Sequence, residues 1–153
     1  MNTIRVVDIV RETAADGPGL RTSIYCAGCK HHCKGCHNPH TWDTRAGHDM
    51  YIEDILKEIL SDPYTNVTFT GGDPMFQAEA FTELAKLIKE NSNKTIWLYT
   101  GFTMDQINAS EYLSQILPYI DAVVDGPYIE ELKDTSLQFR GSSNQNINYI
   151  KHE

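Results

Sequence analysis

The chain has 153 residues, 41% of them apolar and 22% charged, with a net charge of −8. That length holds one domain with a core of its own, and the composition is that of a soluble globular protein. The acidity argues against a broad nucleic-acid surface, and no segment approaches the ~18 apolar residues of a membrane span.

The N-terminus, Met1-Asn2-Thr3-Ile4-Arg5-Val6-Val7-Asp8, has neither the charged start nor the apolar stretch of a secretory signal. The chain is therefore expected in the cytoplasm, where thiols stay reduced. Ile4 to Val10 is β-branched and apolar and predicts a strand. A loop closed by Asp16-Gly17-Pro18-Gly19 follows, dense in turn residues. Arg21 to Cys26 predicts a second strand, and a cysteine-rich loop comes directly after it. Ile52 to Leu60 carries apolar residues at 52, 55, 56, 59 and 60, a helical stripe. Asn66 to Thr70 predicts a strand ending in Gly71-Gly72-Asp73-Pro74, and Phe76 to Glu90 a helix burying Phe81, Leu84, Leu87 and Ile88. Thr95 to Tyr99 predicts a strand stopped by Thr100-Gly101, Met104 to Leu117 one or two short helices, and Ile120 to Val124 a strand before Asp125-Gly126-Pro127. Arg140 to Gln145 reads as loop ahead of a last strand at Ile147 to Ile150. Trp42 and Trp97 are expected in the core.

Strands alternating with helices predict βαβ units in a mostly parallel sheet. The glycine-rich and polar tripeptides fall at strand C-termini, the edge where such sheets place their sites. The chain is too short for an eight-fold barrel. The expected fold is α/β, an open partial (βα) barrel filling residues 1–153 as a single domain.

All four cysteines lie between Cys26 and Cys36, and the last three, Cys29, Cys33 and Cys36, form a C-x3-C-x2-C triplet. Three closely spaced thiolates can hold three corners of a four-iron cluster and leave one iron open for chemistry. With Cys26 included the run offers four ligands, enough for a tetrahedral zinc ion. Zinc knuckles usually part their two pairs by a dozen residues or more, against three here, and Cys26 ends an apolar strand as a small buried hydrophobe would. Cys26 to His40 holds Lys30, Lys34, His31, His32, His37 and His40 and no carboxylate. It is either a solvated loop that happens to lack acids or a positive collar able to attract an acidic electron donor.

The cysteine triplet after an early strand, with a Gly-Gly-acid turn after a later one, resembles the radical S-adenosylmethionine enzymes. The likeness narrows to the activating proteins of anaerobic ribonucleoside-triphosphate reductases. It is carried by Asp16 to Arg21, Cys29 to Trp42, Gly71 to Pro74, Ile96 to Gly101, Val124 to Gly126 and Arg140 to Gln145. The resemblance implies a [4Fe-4S] cluster on Cys29, Cys33 and Cys36 and S-adenosylmethionine bound at the open iron. One electron cleaves that cofactor to methionine and a 5′-deoxyadenosyl radical, which takes hydrogen from a glycine Cα of the large reductase subunit. Reduced flavodoxin or ferredoxin would be the electron donor. Gly35, Cys36 and His37 would meet the cofactor mostly through backbone, although Gly35 stands where many such enzymes carry an aromatic residue. Gly71, Gly72 and Asp73 would hold the methionine ammonium, with Thr100 and Asp125 as further cofactor contacts. Asp16 and Arg21 would seat the loop of the partner. The chemistry is the cofactor's, and no side chain is expected to act as a catalyst of its own. Nearby alternatives are an activase of another glycyl radical enzyme, such as a formate-lyase, or a non-catalytic zinc or electron-transfer module.

Overall fold

A computed structural model describes residues 2–29, 31, 33–36, 43 and 45–152. One seven-stranded sheet runs through the described residues: β1 (Thr3–Thr13), β2 (Arg21–Cys26), β3 (His48–Tyr51), β4 (Asn66–Gly71), β5 (Ile96–Tyr99), β6 (Ala122–Asp125) and β7 (Asn146–Tyr149), in the order β3-β1-β2-β4-β5-β6-β7. Its centre, β2-β4-β5-β6, is parallel, while β3 and β1 at one edge and β7 at the other are antiparallel. The sheet is thus mixed rather than mostly parallel. The reason is connectivity: β1 returns to β2 through a loop with no helix, so the pair closes antiparallel. β3 escapes sequence reading because His48-Asp49-Met50-Tyr51 is polar and largely exposed, an edge strand held by its ladder to β1 rather than by alternation.

The helices α1 (Ile52–Leu60), α2 (Ala78–Asn91), α3 (Met104–Asn108) and α4 (Glu111–Ser114) connect these strands. In α1, Ile52, Ile55 and Ile59 are buried on one stripe, with Glu53 and Asp54 in the first turn and Lys57 in the last, as the helix dipole favours. A 3-10 turn, Pro74–Gln77, leads into α2 and is capped by Asp73, whose side chain accepts from the Met75 N–H. Thr103 and Gln106 close α3 with a reciprocal capping box.

Side-chain alternation gives the sheet two different faces. Ile4, Val6, Ile24, Cys26, Val67, Phe69, Ile96, Leu98 and Val123 pack with Ile55, Phe81, Leu84 and Ile88 of the helices. Phe69 meets Phe81 at 4.9 Å between ring centroids. The other face is inlaid with Arg21, Tyr25, Thr68, Thr70, Trp97, Tyr99 and Val124, and Phe139 and Ile147 pack against its Trp97 and Val124. Trp97 is buried there as expected, whereas Trp42 lies outside the described residues. No helix of the described residues is long and apolar enough to cross a membrane.

Candidate functional site

Parallel pairing brings the C-terminal ends of β2, β4, β5 and β6 to one edge. Cys26, the last residue of β2, stands opposite Gly71, the last of β4. Gly71 has φ +111°, and a Cβ there would collide with the backbone of Cys26 and Tyr25, so no other residue fits without moving the strands. The Gly72 N–H donates to Cys26 O (2.8 Å) and the Asp73 N–H to Gly28 O (2.8 Å). The Gly71-Gly72-Asp73 turn is therefore a clasp that directs the chain out of β2 and into the cysteine loop.

Cys29 is buried, and Cys33 and Cys36 are partly exposed. A Cys36 N–H to Cys33 O bond of 3.1 Å closes the turn between them. Gly35 takes φ +77° in that turn, and the Glu130 carboxylate occupies the space a side chain would need. Burial pushes the Cys33 thiol up, and a hydrogen bond from the Tyr128 backbone works against it. Cys26 differs from the other three. It is fully buried among Ile4, Val6, Ile24 and Phe69, and burial pushes its thiol well up, keeping it neutral.

Beside this loop, on the helix-free face, lies a cavity of about 380 Å³ lined by Cys36, Thr70, Tyr99, Asp16, Tyr128 and Arg140, among others. That volume is in the range of small-molecule sites. The Tyr99 hydroxyl is buried without a hydrogen-bond partner among the described residues. Asp16 is held at the wall by the Tyr25 hydroxyl, which donates to its carboxylate (2.6 Å), and burial pushes the Tyr25 phenol up. Tyr128 donates to Glu130 (2.6 Å), a bond that raises its phenol to about 12. The Arg140 to Gln145 segment gains a structural account here. Gln145 accepts from the Gly141 N–H (2.9 Å) and donates to Gly126 O (3.1 Å), and Asn144 donates to Pro127 O (2.8 Å). These bonds hold Arg140 and Gly141 at the cavity wall after β6.

Not every expected contact points into that space. Asp73 is 1% exposed, and its Oδ2 accepts from His31 Nε2 (2.8 Å), Thr100 Oγ1 (2.9 Å) and the Gly101 N–H (2.9 Å), while Oδ1 accepts from Met75 N–H (2.9 Å). Its carboxylate and the Thr100 hydroxyl are thus turned to each other rather than to the cavity. Asp125 likewise accepts from Met104 N–H (2.9 Å), Asn146 N–H (3.2 Å) and Asn148 Nδ2 (3.0 Å), tying β6 to α3 and β7.

Arg21 requires the plainest correction. Expected at a partner contact, it is 1% exposed and donates to Thr68 Oγ1 (2.8 Å), Val67 O (2.7 Å), Thr95 O (3.2 Å) and Pro18 O (3.0 Å). Burial lowers its pKa to about 10, which still leaves it charged at neutral pH. Its stem lies under Gly17, so it supports the loop that carries Asp16 instead of meeting a partner itself. His37 lies outside the described residues, as do Lys30, His32 and His40 of the suggested collar.

The structure adds Tyr99 and Tyr128 to the candidate site residues and gives particular places to His31 and Arg140, which the sequence had named only within a collar and a matching segment. Tyr99 carried a usable signal, being the last residue of a strand whose next residue was already singled out. Nothing in the local sequence pairs His31 with Asp73, 42 positions on.

Residues 15–148 match the family described as "4Fe-4S single cluster domain". The chain is 39% identical over 141 residues to the anaerobic ribonucleoside-triphosphate reductase-activating protein of Vibrio cholerae, covering 86% of this chain and 89% of that one. It is 34% identical to the protein of that name from Escherichia coli, with 95% of both chains covered, and 36% identical to that of Enterobacteria phage T4, with 86% and 85% covered. Among solved structures, QueE from Escherichia coli has a similar fold, with a TM-score of 0.58 at 19% identity over 80% of this chain and 70% of that one. The chain belongs to the family of anaerobic ribonucleoside-triphosphate reductase-activating proteins.

Proposed function

We propose that this protein is a radical S-adenosylmethionine enzyme that activates an anaerobic ribonucleotide reductase by placing a glycyl radical on its large subunit. The residues fit the cofactors this requires. Cys29, Cys33 and Cys36 would hold a [4Fe-4S] cluster by three of its irons, leaving the fourth free for S-adenosylmethionine. Held by those cysteines, a cluster would supply one-electron reductive cleavage of S-adenosylmethionine, the chemistry by which hydrogen would be taken from a glycine Cα of the reductase.

The observation that carries this reading is the different fate of the cysteines. Cys36 opens onto a cavity of about 380 Å³ whose Tyr99 hydroxyl has no hydrogen-bond partner among the described residues, while Cys26 is sealed into the helix-side core. A four-thiolate zinc site would need Cys26 withdrawn from that core. The chain's own residues then bind, orient and exclude water. Gly35, Cys36 and the Gly71-Gly72 turn offer backbone to the cofactor, and His37 would extend that contact. Asp73, Thr100 and Asp125 serve by fixing the strand ends, and the helix-free face would curve round the cofactor as a partial barrel. Asp16, held by Tyr25, would meet the partner's glycine-bearing loop at the cavity wall. A reduced flavodoxin or ferredoxin in the cytoplasm would deliver the electron.

The deciding experiment mixes reconstituted, reduced protein with S-adenosylmethionine and the purified large subunit under argon. The expected result is a glycyl-radical doublet in the electron paramagnetic resonance spectrum and formation of 5′-deoxyadenosine. A protein that takes up zinc alone and yields no 5′-deoxyadenosine overturns the proposal.

A further inference from the structure

We propose that His31 is a positioning residue that clamps the middle of the Cys29–Cys33 loop to the sheet and so sets how firmly the loop retains its cluster. The inference rests on the three-cysteine reading above. Among the described residues, backbone hydrogen bonds anchor the chain at Gly28, ahead of the loop, and close the Cys33–Cys36 turn after it. His31 ties the middle of the loop to the sheet through its side chain. Its Nε2 lies 2.8 Å from Asp73 Oδ2, and the Asp73 carboxylate is 1% exposed. Nε2 donates to the carboxylate, which can only accept.

The acceptor is itself immobile. Asp73 caps the 3-10 turn through Met75 N–H and accepts from Thr100 Oγ1 and Gly101 N–H, so it joins the ends of β4 and β5. The imidazole is also gripped sideways, with ring centroids 4.7 Å from Phe102 and 5.3 Å from Phe76. Gly101 lies so close beneath it that a Cβ there would stand 2.7 Å from Nε2 and 2.8 Å from Cγ. A buried carboxylate with four donors, two aromatic walls and a glycine floor form a socket built for one side chain. That side chain sits two residues from Cys29 and two from Cys33. Groups that orient metal ligands from outside the coordination sphere typically change metal retention by ~10–100-fold when removed.

The test compares wild type, His31→Ala, His31→Gln and Gly101→Ala after anaerobic iron–sulfur reconstitution. Iron loss to a chelator is followed by absorbance, beside the electron paramagnetic resonance spectrum of the reduced cluster and thermal melts of the apoproteins. Removing the clamp by His31→Ala should speed iron loss by about 10-fold or more, whereas Gln, which can place its Nε2 near Asp73, should restore most of the retention. Gly101→Ala keeps every polar group and displaces only the ring, and it should also release iron faster. Apoprotein melting should be unchanged within a few degrees for all variants, because the socket acts on the loop and not on the core. Should His31→Ala fail to fold, Gly101→Ala decides. Variants that hold iron as wild type does, with the same spectrum, overturn the clamp. Wild type that takes up no cluster overturns the three-cysteine reading first, and the clamp with it.

Discussion

Replacing Arg21 by Met separates a scaffold role from a contact role. Met keeps an aliphatic stem under Gly17 and removes the guanidinium that donates to Thr68 Oγ1, Val67 O, Thr95 O and Pro18 O. Thr95 O also accepts from Val67 N–H, Val67 O stays in the parallel β4–β5 ladder, and Thr68 Oγ1 can still donate to Asp16 O (2.7 Å), so the loss falls mainly on Pro18 O and on the acceptor side of Thr68. An orphaned buried acceptor costs about 1–3 kcal/mol, and relief of the burial cost of a charged group offsets part of the sum. A net loss of about 3 kcal/mol follows, a large share of the ~5–15 kcal/mol that holds a domain. For a chain of this size that is a fall in melting temperature of roughly 6–12 °C. The assay is thermal unfolding of the apoprotein by circular dichroism, with reductase activation measured at a temperature where the variant is folded. A variant that melts with wild type yet binds the reductase poorly would refute the reasoning and return Arg21 to the partner surface.

Cys29→Ser, Cys33→Ser and Cys36→Ser should each abolish a stable [4Fe-4S] absorption after reconstitution, whereas Cys26→Ala should retain it together with 5′-deoxyadenosine formation; loss of the cluster in Cys26→Ala would contradict the three-ligand reading. Gly71→Ala should destabilise by about 3 kcal/mol or more, from backbone strain at positive φ and the collision with Cys26, and an unchanged denaturant midpoint would show that β2 and β4 can separate freely. Asp16→Lys should lower reductase activation by about tenfold, equal to ~1.4 kcal/mol of lost docking, while leaving cluster content intact; activation at the normal rate removes Asp16 from the interface.

Much of the parallel centre was legible because each strand there is a short apolar run followed by a glycine turn. Arg21 to Cys26 and Ile52 to Leu60 coincide with observed elements residue for residue. Of the antiparallel strands, β1 and β7 were legible to within a few residues, at Ile4 to Val10 and Ile147 to Ile150, whereas β3 was not, being a polar, largely exposed strand specified by its ladder to β1. The site divides along the same line. The cysteine spacing is local chemistry and stands in the sequence. Whether a polar residue near a strand end faces the cavity or the scaffold depends on which partners the sheet brings alongside it, as Asp73, Asp125 and Arg21 illustrate.

By itself the sequence determined the cysteine spacing, the strand–helix alternation and the glycine at position 71, because spacing, periodicity and backbone freedom are properties of neighbouring residues. Only the tertiary structure decided that Arg21 braces a loop from within and that His31 meets Asp73. Those outcomes are set by burial and by hydrogen bonds between segments far apart in the chain, and a carboxylate or guanidinium takes its role from whichever donors and acceptors folding places around it.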